Sequence, residues 1–144
     1  LVTGGARRVG AEIVRTLHAA GANVAVHYRN SAADATALVA ALNDERPRSA
    51  TGIAADLLDA ASLPRLVEAC IAAFGRLDVL VNNASTFYPT PLGEISAAHW
   101  DDLLGTNLKA PLFLSQAAAG ALRAAQGLIV NIADIPANAR CATW

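Results

Sequence analysis

The stretch Thr3-Gly4-Gly5-Ala6-Arg7-Arg8-Val9-Gly10 joins spaced glycines to two cations directly after an apolar start. Glycines let a backbone turn tightly from strand to helix, and the amides of the helix's first turn then face a ligand with the positive end of the dipole. Arginine stands at position 8, where a middle glycine is usual, so the turn fits a phosphate site that also carries side-chain charge. A plain strand-to-helix turn would use the same glycines, and the rest of the chain decides between the two. Four more polar sets each follow an apolar run: His27-Tyr28-Arg29-Asn30-Ser31, Asp56, Asn82-Asn83-Ala84-Ser85 and Asp134. A ribose 2′-hydroxyl usually meets an acid after the second strand, whereas a 2′-phosphate needs a cation and hydrogen-bond donors. Arg29 stands there and no acid does, which favours NADPH over NADH, with His27, Asn30 and Ser31 as further polar candidates.

The run Ser85-Thr86-Phe87-Tyr88-Pro89 places an aromatic pair in a loop at the same edge, where a flat ring could stack while hydroxyls orient it. Each of these residues also has a plainer reading. Arg29 would be a solvated loop arginine, Asn82 and Asn83 partners for backbone groups, Phe87 loop packing and Asp134 a turn residue. Beside a cofactor, Asp134 would instead orient or relay a proton.

The elements that must position these residues follow from periodicity. Apolar, β-branched runs at residues 1–3, 24–28, 50–55, 79–81 and 128–132 alternate with helical patterns, the signature of βα units building a parallel sheet. The first helix, over residues 9–20, turns Ile13, Val14 and Leu17 to one face; the second follows a Ser31 cap and turns Leu38, Val39 and Leu42 inward. A third starts at Ser62 and Pro64 and carries Leu66, Val67, Ile71 and Phe74. The long helical region at residues 97–125 contains Pro111, whose missing amide deprives the Asn107 carbonyl of its helical partner and predicts a kink there. In a doubly wound sheet the ligand lies beyond the carboxyl ends of the strands, where all five polar sets fall.

Composition narrows the function class. The 144 residues suit one domain, and a net charge of -1 gives no electrostatic case for nucleic acid or an anionic membrane. The 54% hydrophobic content includes 34 alanines, which favour helix more than they add apolar bulk, and no apolar run approaches a membrane span. Cys70 and Cys141 make neither a disulfide framework nor a metal cluster, and Cys70 lies at helical spacing from Leu66 and Phe74, as a core residue would. His18 and His99 read as helix-surface or packing residues. No signal peptide leads the chain, making a cytoplasmic setting the default, and the absent methionine marks the sequence as a piece of a longer protein.

Over residues 1–135 the chain resembles the short-chain dehydrogenase/reductases, on the glycine turn, Asp56, Asn82-Asn83-Ala84, Asn107 in its kinked helix and the strand Ile129-Val130-Asn131-Ile132. Within them it looks most like the pteridine reductases. That resemblance rests on Arg8, His27-Tyr28-Arg29 with Ser31, Ser85 where glycine is commoner, Phe87-Tyr88-Pro89-Thr90-Pro91, and Asp134 where most relatives carry serine. It implies an α/β fold with a Rossmann-type doubly wound parallel sheet, of which residues 1–144 form the N-terminal five-strand part as a single, incomplete NADP-binding domain. It implies that NADPH is held by Gly4, Arg8, Val9 and Gly10 from the turn, and by His27, Tyr28, Arg29, Asn30 and Ser31 after the second strand. Ala55, Asp56 and Leu57, with Asn83, Ala84 and Ser85, complete that set. Arg8, Ser85 and Phe87 would contact the substrate, Phe87 sandwiching a pterin against the nicotinamide, while Asp134 and Asn107 join the catalytic arrangement. A catalytic Tyr and Lys four residues apart are expected about a dozen residues beyond Asp134 and do not occur in this sequence, so the 144-residue chain by itself should bind better than it catalyses. The resemblance also implies a homotetramer built through helices in the 97–125 region and a small-molecule substrate. A general carbonyl or acyl-chain reductase, or a non-catalytic NADP-binding module, are the competing functions.

Overall fold

The computed structural model describes residues 1–133; Asp134 and the tail beyond it lie outside the described residues. Strands β1 (Val24–Tyr28), β2 (Ala50–Ala54), β3 (Val79–Asn82) and β4 (Leu128–Asn131) alternate with helices α1 (Arg8–Ala19), α2 (Ala32–Glu45), α3 (Ser62–Phe74), α4 (Ala97–Leu104) and α5 (Ala110–Ala125). β1 pairs in parallel with β2, and β3 with β4. Residues 1–3, expected as a full strand, contribute a single bridging position instead. Val2 pairs in parallel with Val26 on one side and Val81 on the other, which gives the order β2, β1, Val2, β3, β4. The Val2 amide donates to the Ala25 carbonyl at 3.0 Å and the Thr3 amide to the Val81 carbonyl at 2.9 Å, so the glycine turn leaves from the middle of the sheet.

Side-chain alternation along the strands divides the core in two. Val24, Val26 and Val81 pack with Val14 of α1 and Leu38 and Leu42 of α2, while Ala25 and Leu80 pack with Leu66 and Cys70 of α3 and Leu114 of α5. Helices therefore cover both faces of a parallel sheet, the doubly wound arrangement. Cys70 lies in that core, and His18 is buried on α1 with Nε2 2.6 Å from Ser49 Oγ. β2 and β4 are the two edge strands among the described residues, and all four residues of β4 are exposed. No helix among the described residues is long and apolar enough to cross a membrane.

One local expectation comes out differently and another gains detail. Ser31 occupies the N-cap of α2 but makes no side-chain capping bond, which leaves its hydroxyl free. Around Pro111 the helix is interrupted by a π turn over Gly105–Lys109, in which the Ala110 amide reaches back to the Gly105 carbonyl. Proline cannot donate the amide an α-helix needs at that point, and a wider turn absorbs the mismatch before α5 resumes with Pro111 in its first turn.

Candidate functional site

The turn from Val2 into α1 is stapled to the loop after β3. The Thr3 hydroxyl donates to the Val81 carbonyl at 3.3 Å and accepts the amides of Asn83 and Ala84 at 2.9 and 3.0 Å. Asn83 Nδ2 returns to the carbonyls of Thr3 and Gly4 at 2.9 and 3.3 Å. This close approach needs glycine. Gly4 sits at φ +60 with a would-be Cβ only 3.1 Å from Ala84 Cα, and at Gly10 a Cβ would lie 2.2 Å from the Gly4 carbonyl oxygen. Asn82 faces elsewhere: its Nδ2 donates to Asn131 Oδ1 at 2.8 Å and ties β3 to β4.

Arg8 holds φ 50, the left-handed region that glycine enters freely and other residues enter at a cost of about 1–2 kcal/mol. The chain therefore keeps the backbone path of a glycine turn while mounting a guanidinium on it. The first-turn amides of α1 have no partners inside the helix, its N-cap residue Arg7 makes no side-chain capping bond, and its first turn contains no acid. This helix end is open to an anion.

These elements enclose a cavity of 580 Å³, within the range of small-molecule sites, lined by Gly4, Arg7, Arg8, Val9, Gly10, His27, Arg29, Asp56, Leu57, Asn83, Ala84, Ser85, Thr86 and Thr106. Arg29 reaches Asp56 at 3.8 Å, and Arg7 reaches Asp34 of α2 at 3.7 Å. Asp56 also accepts the Leu58 amide at 3.0 Å, which shapes the turn after β2. Three arginines, two of them paired with acids, free helix amides and a cradle that only glycine permits fit a phosphate-bearing dinucleotide.

His27 contributes through its backbone partners. Its Nδ1 accepts the Gly4 amide at 3.1 Å and its Nε2 faces the Ala55 carbonyl at 3.1 Å, an arrangement that fits the neutral ring protonated on Nε2. Both nitrogens are spent on protein groups, so His27 holds the glycine turn against the end of β2. Burial pushes its pKa below the ordinary 6.5, opposed by the weaker pulls of the Ala55 carbonyl and the Asp56 charge. A depressed imidazole pKa means that the unfolded chain binds the extra proton first. This contribution to stability is complete above the unfolded value and is lost as pH falls below about 6.5. The expected result is a thermal midpoint that drops through that window in wild type, with a smaller drop in His27→Gln; equal profiles by calorimetry would contradict it.

The remaining sequence candidates divide. Tyr28 lies partly buried against the α2 side of the sheet, where a Cβ on Gly52 would meet its ring at 3.4 Å, and Asn30, Ser31 and Ala55 are not among the lining residues. Asn107, in the π turn, clamps the backbone of Thr86: its Oδ1 accepts the Thr86 amide at 3.0 Å and its Nδ2 donates to the Thr86 carbonyl at 2.8 Å. Phe87 follows directly in the chain and is 90% exposed; it is not among the lining residues, whereas its neighbours Ser85 and Thr86 are. Asp134 lies outside the described residues. Thr86 and Thr106 enter the wall without having been assigned from sequence, and Arg7, read there only as added charge beside the glycines, joins them. The position of Thr86 next to Ser85 was a usable signal, whereas Thr106 arrives through the π turn.

The family model described as short chain dehydrogenase matches residues 1–144. Pteridine reductase 1 of Leishmania tarentolae is 45% identical, the match covering 81% of this chain and 51% of that protein. The short-chain dehydrogenase/reductase FrzI of a Cladobotryum species is 37% identical over 96% of this chain and 53% of its own length. The 3-oxoacyl-[acyl-carrier-protein] reductase FabG of Staphylococcus aureus is 35% identical over 94% of this chain and 55% of its own. The chain spans about half the length of these relatives.

Proposed function

The chain belongs to the short-chain dehydrogenase family, and from that premise we propose that residues 1–144 are the cofactor-binding domain of an NADPH-dependent reductase of pteridines. Arg29, Arg7 and Arg8 supply the charge for the phosphates, and the α1 amides supply donors without charge. When bound, NADPH supplies the hydride. Asp56 and Leu57 line the cavity and would border the base, and Asn83 to Ser85 line it too and complete the cofactor set that the resemblance implies. Arg8 and Ser85, both lining residues, would offer a substrate a cation and a hydroxyl. Asp134 joins the proton-donating arrangement together with a tyrosine of the kind the resemblance implies.

The observation that carries the pteridine reading is Phe87. An aromatic ring left 90% exposed would ordinarily find cover in a core, and here the backbone just before it is held by the Asn107 clamp on Thr86. Such a ring is a stacking platform for a flat heterocycle. Because it packs against little in the protein, Phe87→Ala should leave the melting temperature unchanged and raise KM for a dihydropterin about ten-fold, equivalent to roughly 1.4 kcal/mol. The turnover number should hold, and so should the KM for NADPH. An unchanged pterin KM would remove the platform and favour the acyl-chain reductase reading, which the FabG similarity supports. Trp100, Leu108 and Leu112, all exposed on α4, the π turn and α5, suit the contact between copies in a tetramer.

A further inference from the structure

Resting on the NADPH reading, we propose that Asp34 sets how strongly the cavity prefers a 2′-phosphate to a 2′-hydroxyl, by acting as the counter-ion that Arg7 must give up to the phosphate. Arg7 lines the cavity, yet its Nε already lies 3.7 Å from Asp34 Oδ2. Asp34 belongs to the first turn of α2, immediately after Arg29, Asn30 and Ser31, where the helix end would otherwise favour an anionic ligand. Asp34 is not itself a lining residue; it acts on the cavity through its pairing with Arg7, which is. The other guanidinium near that end, Arg29, is matched to Asp56 at 3.8 Å, so each of the two cations has its own acid within the protein.

The consequences for the two ligand classes differ. Both partners of the Arg7–Asp34 pair are about half exposed, at 61% and 52%, and the separation exceeds a hydrogen bond, so the pair is easily exchanged. An anion that engages Arg7 loses that pairing and also comes within reach of the Asp34 charge. A 2′-hydroxyl asks for neither. Asp34 therefore weakens ligands whose 2′-phosphate engages Arg7 and spares those with a 2′-hydroxyl, which narrows the gap between NADPH and NADH.

The test compares 2′,5′-ADP with 5′-AMP, which differ only in the 2′-phosphate, by calorimetric titration of the wild-type protein, Asp34→Asn, Arg7→Ala and the double variant. Asp34→Asn should tighten 2′,5′-ADP about two- to five-fold, leave 5′-AMP unchanged, and lose its advantage as ionic strength rises. In the Arg7→Ala background the gain should shrink or vanish, because the exchange it relieves no longer occurs. An Asp34→Asn protein that binds 2′,5′-ADP no better than wild type, or gains equally for 5′-AMP, overturns the proposal while leaving the NADPH reading intact. A wild-type protein without preference for 2′,5′-ADP overturns both.

Discussion

Gly10→Ala should destroy cofactor binding and lower the melting temperature, although the same change elsewhere in the chain does the opposite. A Cβ at this position would lie 2.2 Å from the Gly4 carbonyl oxygen, 2.7 Å from Asn83 Nδ2 and 2.9 Å from the Gly4 carbonyl carbon. Two of those atoms are backbone, so no side-chain rotation relieves the overlap. The turn must move away from α1, breaking the Asn83 bonds that hold the β3 loop against Thr3 and Gly4. Overpacking of this kind costs about 1–3 kcal/mol or more, and the displaced wall is the one that would face the phosphates. Gly120, inside α5, meets nothing within 4 Å, so Gly120→Ala should raise stability by about 0.5–1 kcal/mol. Calorimetry with NADPH fluorescence titration reads both; equal behaviour of the two variants would contradict the close packing at Gly10.

Arg8→Gly is expected to leave the fold about as stable as before and to cut pterin turnover at least ten-fold. The left-handed φ of 50 at Arg8 costs about 1–2 kcal/mol, which glycine removes, while the flexibility glycine adds to the unfolded chain costs about 0.5–1 kcal/mol. The two nearly cancel. What disappears is the guanidinium at the cavity wall, one of three cations there. Arg8→Ala separates the contributions, because alanine keeps the strain and loses the charge: it should be both less stable than Arg8→Gly and equally poor in kcat/KM. If Arg8→Gly matched wild type in turnover, the residue would have no role beyond shaping the turn.

Sequence periodicity locates the strands β1 to β4 and the helices α1 to α3 to within a few residues, because alternation at Val24, Ala25 and Val26, and helical spacing at Leu38 and Leu42, are set by the same burial that forms the core. Residues 1–3 were harder to read. Three residues cannot display a period, and only the pairing of Val2 on both sides gives them their central place. The site was legible in its outline for a comparable reason: residues just past a strand end must lie at one edge of the sheet. That rule gives the edge but not the face. Adjacent strand residues point to opposite sides, so His27 meets the glycine turn while Tyr28 turns towards α2. Contributions from helices were invisible to it, which is why Asp34 and Thr106 emerge only in three dimensions. The proline at 111 signals an interruption, but propensity alone does not specify that a π turn absorbs it.

Steady-state oxidation of NADPH by the full-length protein, offered dihydrobiopterin, dihydrofolate, dihydromonapterin, a 3-oxoacyl thioester and a simple ketone in parallel, tests the central claim most directly. The account predicts turnover with at least one dihydropterin, faster than with the thioester or the ketone and dependent on Arg8 and Phe87. Turnover confined to the ketone or thioester, or NADPH binding with no turnover of any of them, would contradict it.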